Sequence, residues 1–194
     1  MLKMCKISLL AVIIQIILLK NCLALFKLTK VECLNENPAF VHVNACRLKA
    51  ISRDVSEITF RLQLKQVLEH IYLHIELKRK YNTYQPFFIN KTIDVCAFLK
   101  YRKEAVYLDI LFKLILPYTN ANHTCPYEGE LIVDHFRPLH NNLILPIPSG
   151  DYLIQIGFRE KTNVTVDLFV WFTFKELEAW ERFNKKSKKS TSIQ

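Results

Sequence analysis

The feature that most constrains this chain is an apolar period of two. Val164, Val166, Leu168, Val170, Phe172 and Phe174 alternate with Thr165, Asp167, Phe169, Trp171 and Thr173. Ile58, Phe60, Leu62 and Leu64 alternate with Thr59, Arg61, Gln63 and Lys65, and Ile71, Leu73, Ile75 and Leu77 with Tyr72, His74, Glu76 and Lys78. Successive side chains of a strand point to opposite faces, so this pattern predicts strands with one face buried. Further strands are expected at Phe87–Phe98, Gly129–Phe136, Asn142–Ile147 and Asp151–Arg159, the last two separated by the turn residues Pro148-Ser149-Gly150. One segment breaks the period: Val106, Tyr107, Ile110, Leu111 and Leu114 fall at helical spacing between Glu104 and Leu116, and Pro117 ends the run. A second short helix is expected around Trp180, from Lys175 to Phe183. The fold expected is all-β, an antiparallel β-sandwich with one short helix in a long connection.

The N-terminus sets the compartment, and the compartment sets the chemistry of the cysteines. Two lysines precede the uncharged run Ser8–Leu19, and small residues stand at Cys22 and Ala24. That is the pattern of a secretory signal peptide over residues 1–24, and the run is too short for the ~18–20 residues of a membrane span. Cleavage leaves 170 residues (194 − 24), enough for one domain with a proper core, expected over 25–176. Loss of Lys3, Lys6 and Lys20 lowers the formal charge from +9 to +6. Much of the remainder lies in a basic tail, 177–194, around Lys185-Lys186-Ser187-Lys188-Lys189, read as a solvated terminus rather than a nucleic-acid site.

Cys5 and Cys22 leave with the signal peptide, so Cys33, Cys46, Cys96 and Cys125 remain. An even set in an oxidising compartment implies two disulfides. Four cysteines permit three connectivities, and pairing near neighbours gives Cys33–Cys46 and Cys96–Cys125. Sequons at Asn90, Asn122 and Asn163, each followed by Thr two residues on, predict a secreted glycoprotein with those asparagines exposed.

Few residues carry catalytic chemistry. With only three glycines, the chain has no phosphate-cradling loop, so no nucleotide cofactor is expected. His70 and His74 lack the intervening glutamate of a zinc helix. On a strand they stand ~13 Å apart, so no metal site is assigned. His123 and Cys125 in N-A-N-H-T-C-P-Y (Asn120–Tyr127) would form a Cys/His hydrolase pair only if Cys125 were a free thiolate, and a disulfide removes that nucleophile. No enzyme is expected. What remains is the aromatic content, thirteen Phe, eight Tyr and two Trp. A sandwich that opens between its sheets would hold an apolar ligand, with Phe60, Leu62, Leu73, Ile75, Phe88, Ile110, Leu114, Val170 and Phe172 as cavity candidates. Outward Phe169 and Trp171 fit either a doubly covered strand or an exposed patch.

Cys46–Lys49, Tyr84–Leu99, N-A-N-H-T-C-P-Y and Leu145–Tyr152, in this order, resemble a large insect family of short secreted proteins named only for a domain of unknown function. That family is similar to the CheB chemosensory proteins, which look like the lipid-recognition (ML) sandwich of the ganglioside activator protein. The resemblance covers Val31 to Phe174, and H-T-C-P-Y is its most specific part. It implies an ML/immunoglobulin-like sandwich and, by analogy, a lipid or hydrocarbon-like ligand between the sheets, in chemosensation, with the receptor left open. No nucleic acid and no stable membrane insertion are implied. Where the family often has glycine before Gln85, this chain has Tyr84. The alternative reading is a secreted interaction module with a filled core.

Overall fold

The computed structural model describes residues 23–53, 55–138, 147–160 and 163–177. The expected signal peptide (1–24) up to Cys22, the strand expected at Asn142–Ile147 (save Ile147), the helix expected around Trp180 and the basic tail beyond Leu177 lie outside them. The described chain runs β1 (Leu23–Leu34), β2 (Val41–Ser52), β3 (Val55–Leu64), β4 (Tyr72–Lys80), β5 (Tyr84–Asp94), α1 (Val95–Lys100), α2 (Val106–Ile115), β6 (Glu130–Phe136), β7 (Gly150–Glu160) and β8 (Asn163–Leu177). Short 3-10 turns at Arg102–Glu104 and Leu116–Tyr118 flank α2.

The strands form two antiparallel sheets, one ordered β1-β8-β7-β4-β5 and the other β2-β3-β6. The all-β sandwich expected from the alternation is therefore the fold. β8, the strand with the longest period-two run, lies inside the larger sheet between β1 and β7. Its inner row Val166, Leu168, Val170, Phe172 and Phe174 is buried, as are Ile58, Phe60, Leu62 and Leu64 of β3. These rows meet face to face, with Phe60 stacked on Phe158 of β7 at 5.6 Å between ring centroids. Burying such a side chain contributes about 1.5–3 kcal/mol, so the two rows dominate the core.

Bulges keep the inner rows in phase. Thr29 is an extra residue between the pairs Leu28–Phe172 and Lys30–Trp171, which leaves both Leu28 and Val31 turned inward. Asn44 does the same between Val43–Leu62 and Ala45–Arg61, so Cys46 and Leu48 follow Val43 on the inner face. β1 and β2 thus present Cys33 and Cys46 to each other, and their disulfide (Cα–Cα 6.2 Å) ties the two sheets along one edge.

The strand expected at Phe87–Phe98 ends earlier, at Asp94. The Asp94 side chain accepts a hydrogen bond from the Ala97 backbone N–H at 2.9 Å, capping α1. A carboxylate at that position satisfies an orphan helix donor, and the chain turns into a helix instead of continuing the sheet. The expected helix appears as α2. Tyr84, in place of the family's glycine, sits in a regular strand and is not among the residues with positive φ.

Candidate functional site

The structure sorts the expected cavity residues into three groups. Phe60, Leu62, Val170 and Phe172 belong to one continuous buried cluster. Stacking of Phe26 on Phe172 (4.6 Å), Tyr152 on Phe172 (5.3 Å) and Phe60 on Phe158 fills the space beneath β1, β8 and β7. At one end Arg79 closes this interior: its guanidinium lies 5.8 Å from the Phe87 ring and 6.0 Å from that of Tyr152, and it donates to the Ser149 carbonyl.

Leu73 and Ile75 behave differently. They pair with Phe158 and Ile156 of β7, whose side chains pack on the core, so they share the inner face. Both nevertheless stay half-exposed, and among the described residues they stand outside the packed cluster. Leu114 of α2 is half-buried in the same way.

Phe88 and Ile110 require a correction: neither lines the interior. Between the pairs Lys78–Pro86 and Glu76–Asn90, β5 carries two residues more than β4. Phe88 sits in that bulge with φ 62° and is 86% exposed. In α2 the face expected to point inward points out, since Val106, Ile110 and Leu111 are all exposed. The reason lies in the anchors of the opposite side. Phe112 meets Phe98 of α1 edge-on at 5.7 Å, and Asp109 pairs with both Arg102 (2.6 Å) and Lys113 (2.7 Å). Hydrogen bonds from Lys113 and then Arg102 hold the Asp109 carboxyl below its ordinary range. No α2 side chain packs on the buried cluster among the described residues.

The N-A-N-H-T-C-P-Y segment is a structural joint. Cys125 is bonded to Cys96 of α1 (Cα–Cα 5.4 Å), which fastens both ends of the α1–α2 excursion. Tyr127, which follows the cis Cys125–Pro126 peptide, is buried and exchanges backbone hydrogen bonds with Leu68 in both directions. Its hydroxyl donates to the His123 carbonyl, and its ring stacks on the His123 imidazole at 4.4 Å. Burial pushes the Tyr127 hydroxyl pKa up. His123 is thus packed on a tyrosine, and the Cys125 sulfur is already bonded. Asn120 extends the joint: its side chain donates to the Glu130 carbonyl and accepts from the Ile132 N–H, as a strand neighbour of β6 would.

Asn90, Asn122 and Asn163 are all exposed, as glycan attachment requires. Asn90 lies on the outer face of β5, beside the contact between His74 and Thr92 (3.1 Å). On the outer face of β8, Phe169 and Trp171 are half-buried and stacked at 6.1 Å, with the Lys30 ammonium 4.7 Å above the Trp171 ring. Further along this face Asp167 is buried, receiving hydrogen bonds from Arg159 (2.9 Å) and Asn35 (2.7 Å). A Cβ at Gly157 would lie 2.7 Å from both Arg159 and Asp167, so only glycine leaves room for that pair.

A polar cluster that the sequence reading missed occupies the outer face of the smaller sheet. Glu57 and Thr59, at outward positions of the central strand β3, are only 2% and 3% exposed. The extra residue of β6, between the pairs Phe60–Val133 and Ile58–Phe136, brings Asp134 and His135 over them, with φ 53° at His135. The Glu57 carboxylate contacts His135 Nδ1 at 2.9 Å and accepts from Arg137 at 2.8 and 3.0 Å. The His135 hydrogen bond is the main cause of a Glu57 pKa below the usual carboxylate value, and Arg137 adds to it against burial. Asp134 accepts from Arg61 and from Thr59 Oγ1 (3.0 Å), and the Arg61 bond lowers its pKa in turn. A groove of about 560 Å³ opens here over Glu57 and Thr59, with Arg47, Lys49 and His135 along its sides. Only the adjacent polar pair Asp134-His135, where an apolar strand should alternate, hinted at it.

Fold and site together define a disulfide-tied, two-sheet β-sandwich. Residues 73–154, from within β4 to within β7, match a family described as Protein of unknown function (DUF1091). The match takes in the Tyr84–Leu99, N-A-N-H-T-C-P-Y and Leu145–Tyr152 blocks but not Cys46–Lys49, and so is shorter than the stretch expected from the motifs. No curated protein matches the chain. Among the described residues no helix is long and apolar enough to cross a membrane.

Proposed function

We propose that this protein is a secreted glycoprotein that binds a lipid or other small hydrophobic molecule at the β4–β5 side of the sandwich, beneath the α1–α2 excursion. The observation that carries the reading is the partial exposure of Leu73 and Ile75 on the inner face of β4, where among the described residues they stand outside the packed cluster. Apolar side chains that face inward yet stay partly open are what an apolar ligand would cover. Of the excursion, it is α1 that contacts β4 and β5, with Val95 and Leu99 packed on the core. The secretory leader and the two disulfides support an extracellular setting. The resemblance of the motif blocks to the CheB and ML proteins is the ground for placing this role in chemosensation.

The test is to purify the secreted protein, extract it with organic solvent and examine the extract by mass spectrometry. A co-purifying lipid or hydrocarbon, or fatty acids that raise the melting temperature, would support the reading. An empty extract with no binding of fatty acids or cuticular hydrocarbons would end it. A second reading, an interaction module acting by protein contact, is favoured by the filled half of the interior around Phe60–Phe158 and by the exposed α2 face at Val106, Ile110 and Leu111. It predicts a partner cross-linked to that face and no extractable ligand.

A further inference from the structure

We propose that the groove on the outer face of β2-β3-β6 binds a sulfate or phosphate ester through Arg47 and Lys49, with His135 forming the opposite wall. The site lies on the far side of the smaller sheet from the interior, so it is independent of the hydrophobic-ligand reading. Charge accounting points to the ligand. Both carboxylates are already matched, Glu57 by Arg137 and His135 and Asp134 by Arg61 and Thr59. Arg47 is exposed and has no side-chain partner among the described residues. Lys49 is 68% exposed and approaches Glu57 only to 3.9 Å. The two cations occupy alternate positions of β2, opposite Thr59 and Glu57 in register, so both stand over the groove. A guanidinium fork beside an ammonium suits an acceptor with several oxygens.

The volume, about 560 Å³, suits the ester of a sugar-sized molecule rather than a bare ion. Buried Glu57 holds the imidazole in place. An ionised carboxylate only accepts, so His135 Nδ1 carries the proton, and Nε2 lies 3.6 Å from Asp134 Oδ1. The ring lines the groove opposite the two cations. The groups facing it are Glu57 of β3, Asp134 of β6, Lys49 of β2 and, beyond β6, Arg137.

The experiment titrates the full secreted protein with glucose 6-sulfate by calorimetry, and in parallel with phosphatidylcholine vesicles with and without a phosphatidylinositol phosphate. Wild type should bind one of these probes. The double variant Arg47→Glu, Lys49→Glu should weaken that binding at least tenfold at an unchanged melting temperature. Lys30→Glu, on the outer face of the other sheet, should have no effect. Binding of glucose 6-sulfate identifies a free ester as the ligand, and binding of phosphoinositide vesicles alone identifies a headgroup. Failure of both probes to bind, or equal binding by wild type and the double variant, overturns the proposal.

Discussion

The two halves of the larger sheet use the same alternating pattern for different ends. Beneath β1, β8 and β7, the smaller sheet covers the inner face, and Phe60, Leu62, Val170 and Phe172 disappear into one cluster. Across β4 the inner row continues with Leu77, buried in the same cluster, and then with Leu73 and Ile75, which stay partly exposed outside it. In the neighbouring α1–α2 excursion, α1 packs Val95 and Leu99 on the core, whereas α2 is held by Cys96–Cys125 at the ends and by the ion pairs of Asp109. A period of two specifies which face turns inward; what covers that face depends on chain far away in sequence. The closed half rests on burial, whereas the open half rests on a few discrete links. The two should therefore fail differently.

The largest effect should come from the closed half. Phe172→Ala removes a ring that is 1% exposed and stacked on both Phe26 and Tyr152, and should cost about 3–5 kcal/mol in thermal or denaturant unfolding. Ile75→Ala, on the same sheet face, should cost clearly less. Equal losses would erase the distinction between the halves. Next, replacing Cys96 and Cys125 by serine opens a link with a sequence separation of 29 and should cost about 3 kcal/mol by the chain-entropy estimate. Hydrogen exchange should show the loss concentrated in α1 and α2, with β8 amides still protected.

A smaller effect is expected at the cap. Asp94→Ala should destabilise by about 1 kcal/mol, seen as faster exchange in α1. The smallest is a pH effect. The Asp109 carboxyl is held below its ordinary 3.8, so it stabilises the folded chain above that value and loses this contribution as the pH falls through its depressed folded value. Acidification below about pH 4 should thus loosen α2, and Asp109→Asn should flatten that response in exchange measurements. Glu57 and Asp134, also depressed, give the smaller sheet its own acid sensitivity, which Asp109→Asn should leave intact.

Much of this architecture was legible in the sequence, for physical reasons. β3, β4 and β8 alternate cleanly because each has one packed face, and a single binary pattern records that. Both cysteine pairs followed from an oxidising compartment and proximity in sequence. β1 and β2 were not recognised as strands because each carries a bulge, Thr29 or Asn44, that shifts the apolar phase by one residue. The inward face of α2 was misread because nearly all its residues are apolar, and anchors outside the helix, Phe98 and Arg102, decide its rotation. The outer groove was invisible for another reason. Glu57, Thr59 and Arg61 look like an ordinary wet strand face until the β6 bulge folds Asp134 and His135 across them.

The central claim is that the open half receives a hydrophobic ligand, and binding of an environment-sensitive fluorescent fatty acid to the purified protein tests it most directly. Wild type should bind the probe with a blue-shifted emission. Ile75→Trp should abolish binding by covering the partly exposed face of β4, while Phe169→Ala on the outer face of β8 should leave it unchanged. Absence of binding by wild type, or equal binding by Ile75→Trp, would contradict the account.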